Sequence, residues 1–253
     1  FSARIDDAWR VSSYSGLVRG SESEQPDYDA VVVVTEGDEP QPPSEEPLFD
    51  LPAGTHTGHF LHELFENLDF PAAGGESLQT QVRELLERYG RLASGREVSE
   101  GTDWSPVVVE LVQRVLATPL DESGRLRLGD IGMEDRLTEL EFHFPHQALE
   151  PELLQEALAP YPQYAASARG LAFEPRRGLM RGFIDLAFRH QGRFYVLDYK
   201  SNLLGRRLQD YGRTGMQQAV REHRYDLQYL IYTLALHRFL GTRLPDYDYQ
   251  QHF

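Results

Sequence analysis

The spacing of apolar residues separates a weakly patterned first fifth of the chain from a strongly patterned remainder. Over residues 1–55 only Trp9-Arg10-Val11-Ser12-Ser13-Tyr14-Ser15 reads as a short ordered patch, and 31–34 is at most a short strand. The stretch 36–52 holds five prolines and several acids and reads as a flexible linker. From Thr57 the period becomes helical. Phe60, Leu61, Leu64, Phe65 and Leu68 share one face, and Pro71 stops the helix. Further helices are predicted over 78–92, 106–117 and 151–158. Residues 137–144 alternate and predict a strand that Pro145 ends. Two strand-like runs, 181–188 and 193–199, flank His190-Gln191-Gly192 as a hairpin, and a long helix over 215–240 follows, with a break near Arg224.

Composition narrows the class. The chain has 253 residues, 40% hydrophobic and 26% charged, the balance of a soluble globular protein, with no apolar run long enough to cross a membrane. It has no cysteine, which excludes disulfides, Fe–S clusters and Cys-ligated zinc, and a reducing cytoplasm is the natural setting. It starts at Phe1 with no signal peptide following, and it reads as a piece of a longer protein. The division expected is an arm and linker over 1–55 and one domain over 56–253.

The net charge of −15 argues against a polyanion partner when taken as a whole, but it is unevenly distributed. Residues 169–224 carry 12 basic and 5 acidic side chains, whereas residues 1–100 carry 7 basic and 20 acidic. A local basic block steers a polyanion regardless of net charge, although it could equally be a solvated face. Of the 25 basic residues, 24 are arginine and only Lys200 is lysine. A position that keeps a compact ammonium in such a chain is one a planar guanidinium cannot serve. No Gly-Lys pair exists, so the chain holds no Walker A loop.

The hairpin carries the candidate chemistry. With the turn at Gln191-Gly192, His190 faces Arg193 and the pairing runs down to Asp185 facing Asp198. Opposed side chains have Cβ atoms roughly 4.5–5.5 Å apart, and two like charges there invite a cation. Period two puts Lys200 on the face of Asp198. Carboxylates suit a hard cation such as Mg²⁺, and a lysine beside them can orient a water or neutralise developing charge, as phosphodiester hydrolysis requires. The plain alternative is a hairpin with a surface Asp198–Lys200 ion pair.

Gly182-Phe183-Ile184-Asp185, Asp198-Tyr199-Lys200-Ser201-Asn202 and the run from Tyr225-Asp226-Leu227-Gln228-Tyr229 through Tyr232 to Arg238 resemble the C-terminal nuclease domain of RecB-type helicase–nucleases, the β subunit of exodeoxyribonuclease V. The similarity extends from Trp9 to Tyr249. It implies an α/β, restriction-endonuclease-like (PD-(D/E)xK) mixed sheet flanked by helices, with additional N-terminal helices. It also implies Mg²⁺ and the core motif Asp185, Asp198 and Lys200. His62 matches a metal-binding histidine and Glu139 an acid of the first strand, with Glu141 a competing choice. The Tyr199 carbonyl completes the metal shell, and Gln228, Tyr232 and Arg181 fall to DNA contact. By residues alone His62 cannot be told from His59 or Glu66, and Tyr232 reads equally as a core aromatic.

The function implied is cleavage of DNA strands unwound by an attached helicase in double-strand-break repair and recombination. The partners implied are single-stranded DNA, duplex ends through a full complex, and RecC-like and RecD-like subunits, with no membrane. A non-catalytic module docking the subunits of such a complex is the alternative. A nuclease of the AddB or Cas4 kind, with an Fe–S cluster, fails for want of cysteine.

Overall fold

The computed structural model describes residues 9–18, 44–92 and 102–253, so the strand expected at 31–34 lies outside the described residues. The chain forms two interleaved compact units. One comprises Phe1–Asp27, Glu139–Ile184 and Gln217–Phe253, the other Tyr28–Thr138 and Asp185–Met216. The described elements are those of an α/β protein with a mixed four-stranded sheet.

In the first unit, the short patch expected near the start is strand β1 (Trp9–Ser12), followed by helix α1 (Tyr14–Val18). β1 pairs in parallel with β3 (Arg176–His190), matching Arg10 to Gly178. Gly178 has φ 138°, and a Cβ there would lie 2.1 Å from the Arg10 carbonyl oxygen, so no other residue allows this approach. Strand order is β1-β3-β2, which puts β2 (Arg136–Leu149) at the end of the path. Pro145 therefore does not end β2, contrary to expectation. An edge strand tolerates a residue that donates no ladder hydrogen bond.

α5 (Pro151–Leu158) forms where predicted, and α6 (Pro162–Ala168) follows. The long C-terminal helix is broken as expected: α7 (Arg213–His223) and α8 (Tyr225–Arg243) meet at Arg224, in the left-handed region at φ 57°. α8 buries Leu227, Tyr232, Leu236 and Leu240, and α9 (Tyr249–His252) ends the chain. Near the break, Ser167 donates to Asp226 Oδ2 at 2.6 Å and the Tyr14 hydroxyl to the His223 carbonyl at 2.5 Å.

In the second unit, α2 (Thr55–Asn67), α3 (Gly75–Arg88) and α4 (Ser105–Ala117) bury one apolar stripe each. Leu78, Val82, Leu85 and Leu86 of α3 have the spacing of one helical face, and Pro106 sits in the first turn of α4, where no N–H is needed. α3 stops at Arg88, short of the expected 92, because Gly90 turns left-handed at φ 57° and a 3₁₀ turn, Gly90–Leu92, follows. Leu186 and Phe188 of β3 join these helices in one core. β4 (Arg193–Leu197) pairs antiparallel with the end of β3 through a turn in which Gln191 and Gly192 have φ 49° and 80°, as a type I′ hairpin demands.

Candidate active site

The hairpin register is the expected one, from His190–Arg193 to Leu186–Leu197. It stops one pair short of the two aspartates. β4 ends at Leu197, so Asp198 and Lys200 lie on irregular chain and not on a strand as expected. The Asp185 side chain takes the place of the next ladder bond: its Oδ2 accepts the Tyr199 backbone N–H at 2.8 Å. The Lys200 ammonium lies 2.6 Å from Asp198 Oδ2, and both side chains are about one-fifth exposed, at 19% and 20%. The three residues predicted from spacing are thus gathered within the second unit.

His62 joins them. It lies on α2, is 5% exposed, and places Nδ1 3.4 Å from Asp185 Oδ2. The rivals on its helix differ: His59 and Glu66 are only partly buried. Burial, followed by the charges of His62 and His56, lowers the pKa of His59. Tyr199 packs as a slab in this site. Its ring stacks on Phe65 (centroids 4.8 Å apart, planes 17°) and meets the His62 ring edge-on at 6.0 Å and 88°. Burial and the Asp185 charge push the Tyr199 phenol well above its usual range, against the opposing charge of Arg136.

The Asp198 carboxyl is strongly perturbed. Burial first, and the neighbouring Asp185 charge second, raise its carboxyl from 3.8 to about 7, even though Lys200 and His62 act to lower it. Two carboxylates that one ammonium does not neutralise form a fit seat for a divalent cation, which needs deprotonated oxygen donors. The Asp185 and Asp198 carboxylates are oxygen donors of that kind.

The remaining predicted residues belong to the first unit. Glu139 is half-buried and non-glycine at φ 48°, a conformation concentrated at functional sites. Its rival Glu141 is exposed and committed to Arg181, whose Nε donates to it at 2.8 Å. Gln228 and Tyr232 are 1% and 4% exposed, one turn apart, with the Gln228 amide donating to the Tyr232 hydroxyl at 2.9 Å. Tyr232 also meets Phe142 edge-on at 5.6 Å.

Sequence reasoning passed over Arg136, which is buried in the second unit with its guanidinium 3.5 Å above the Phe70 ring and donating to the Leu68 carbonyl. An arginine opening an alternating strand gives no signal that separates it from a surface residue. The side chain of Tyr199 was also passed over, because only its carbonyl has a place in the motif.

The chain is thus an α/β protein carrying a paired-carboxylate, single-lysine site with a buried imidazole. Its relatives are RecB subunits. It is 41% identical over 254 residues to "RecBCD enzyme subunit RecB" of Escherichia coli (strain K12), covering 98% of the chain and 20% of that protein. The RecB of Mycobacterium tuberculosis (strain CDC 1551) is 35% identical, over 100% of the chain and 25% of the relative. That of Haemophilus influenzae is 28% identical, over 100% and 21%. The chain therefore spans a fifth to a quarter of the length of these relatives, and the RecB resemblance read from its motifs holds along essentially all of it. No protein-family model matches the chain. No helix among the described residues is long and apolar enough to cross a membrane.

Proposed function

We propose that this chain is a divalent-metal-dependent deoxyribonuclease domain of the PD-(D/E)xK kind, the nuclease portion of a RecB-type helicase–nuclease. The observation that carries this reading is the Asp198 carboxyl, raised to about 7 by burial and by Asp185 with Lys200 at 2.6 Å, in a chain related to RecB along its length. A docking surface has no use for a buried pair of like charges, which costs stability unless a ligand compensates it.

Asp185, Asp198, His62 and the Tyr199 carbonyl would hold the cation, Mg²⁺ by preference for oxygen donors. When bound, it supplies Lewis-acid polarisation of the scissile phosphate and lowers the pKa of the attacking water. Lys200, held by Asp198, orients the attacking water and offsets the charge that develops on the phosphate oxygens. Asp185, fixed by the Tyr199 N–H, keeps its carboxylate in place throughout. The family resemblance adds Glu139 as a further acid, and its φ of 48° supports a functional rather than a purely structural role.

On this reading the domain occupies 56–253, with β1 of the preceding arm adding a strand. Arg181 contacts DNA, and the buried Gln228–Tyr232 pair serves binding by fixing the shape of α8. The substrate is DNA unwound by the attached helicase in double-strand-break repair and recombination, with RecC-like and RecD-like subunits as partners in the cytoplasm.

The test is direct. The purified chain is incubated with linear single-stranded DNA and Mg²⁺, with EDTA and Asp198→Ala as controls. Degradation that needs metal and is lost in the variant is expected. Absence of cutting across a wide range of protein concentration, with the chain folded, would overturn the reading.

A further inference from the structure

We propose that the ring of Tyr199 is the positioning element of this site, locking the His62 imidazole against Asp185. The inference rests on the metal-site reading above and goes beyond it, because the motif gives a role only to the main chain of this residue.

The geometry makes one residue answerable for two others. Through its backbone, Tyr199 donates to Asp185 Oδ2 at 2.8 Å. Through its ring, it fills the space beside His62 and Phe65, which lie three residues apart on one face of α2. His62 Nδ1 then stands 3.4 Å from the same Asp185 oxygen. Asp185 Oδ2 is therefore the point at which the backbone of Tyr199 and the imidazole beside its ring converge. An imidazole that faces a carboxylate and is closed in by an aromatic edge has few rotamers left, and ligands held so before metal arrives lose less entropy on binding it.

The hydroxyl contributes nothing to this. It is buried and meets no hydrogen-bond partner among the described residues. The ring, and not the phenol, is the working part, which separates two substitutions that a purely structural role would not order in the same way. Tyr199→Leu takes away the flat face and the edge; Tyr199→Phe keeps both.

The test uses the full chain and the metal-free protein as well as Mn²⁺ alone as probe. Histidine ring resonances, with His62 assigned through His62→Gln, report the imidazole without metal. Mn²⁺ titration followed by electron paramagnetic resonance gives affinity. Tyr199→Leu is expected to shift and broaden the His62 resonances and to weaken Mn²⁺ binding by about tenfold or more, the scale on which residues supporting a ligand act. Tyr199→Phe should restore both readings to near the parent. If Tyr199→Leu does not fold, Phe65→Leu, which removes the ring's stacking partner, carries the same expectation. Unchanged His62 resonances and Mn²⁺ affinity in the folded leucine variant overturn the proposal, as does a phenylalanine variant as impaired as leucine. A parent chain that binds no Mn²⁺ overturns the metal-site reading instead, while the imidazole resonances still decide whether the ring positions His62.

Discussion

The Lys200 ammonium stands 2.6 Å from Asp198 Oδ2, where one-fifth exposure leaves little water to share the charge of either group. Its partner Asp198 is nonetheless held at about 7, so the cation only part-compensates the burial and the Asp185 charge. Lys200 is thus held by a carboxylate beside the site, as a compact ammonium with three N–H donors. Lys200→Ala should lower metal-dependent cleavage of single-stranded DNA by about 100-fold or more, the scale for removing one donor aimed at developing charge. Lys200→Arg should not rescue it, because a planar guanidinium cannot occupy the place of a compact ammonium. Cleavage rates at saturating Mg²⁺ check this, and an active arginine variant would sink the role given to Lys200.

The Asp198 shift also makes stability depend on pH. In the metal-free chain its folded pKa, about 7, lies above the ordinary 3.8. Between those values the folded state holds a proton that the unfolded state has lost. Its contribution is therefore fully present below about pH 3.8 and is lost as pH rises through about 7. Denaturant midpoints of the metal-free parent should fall from pH 5 to pH 8 relative to those of Asp198→Asn, which cannot titrate there. Mg²⁺ should offset that loss most at the high end, where no proton competes for the carboxylate. Parallel pH profiles for parent and variant would contradict the shift.

The hairpin that sets the register can be tested through its turn. Gly192 has φ 80° and open space around its Cα, so a methyl group there meets no atom and costs only backbone strain. Gly192→Ala should destabilise the chain by about 1–2 kcal/mol, the cost of a left-handed conformation for a side chain. Gln191→Asn, at φ 49°, should stabilise it by a few tenths of a kcal/mol, since asparagine accepts that region more readily. Urea melts decide both signs.

What the sequence made legible follows from local physics. The turn at Gln191-Gly192 dictates the pairing of β3 with β4 residue by residue, and helical periodicity marks α2, α4 and the break at Arg224. What it hid depends on distant partners. β1 is four residues whose strand character comes from pairing with Arg177–Met180, far along the chain. Pro145 looked like a stop because edge position is invisible in one strand. Near the site the failure is of the same kind. Period two carried the ladder one pair too far, since it cannot know that the Asp185 carboxylate captures the Tyr199 N–H and ends the strand. His62 could not be separated from His59 by spacing, only by its burial and its 3.4 Å approach to Asp185.

Gln228 and Tyr232 pose the sharpest question for the DNA-contact assignments. Both are interior, at 1% and 4% exposure, with the Gln228 amide donating to the Tyr232 hydroxyl at 2.9 Å and the Tyr232 ring against Phe142. Side chains so buried reach a phosphate only if α8 rearranges. Tyr232→Phe removes the acceptor while keeping the ring, so it should lower stability by about 1–3 kcal/mol, the cost of stripping a partner from a buried polar group. If the pair acts by shaping α8, the folded variant should bind a single-stranded oligonucleotide within about twofold of the parent, well under the 1.4 kcal/mol that a tenfold change represents. Fluorescence anisotropy at a temperature where both proteins are fully folded, paired with urea melts, separates the two effects. A tenfold rise in Kd without loss of stability would assign the hydroxyl to DNA directly and require α8 to open on binding.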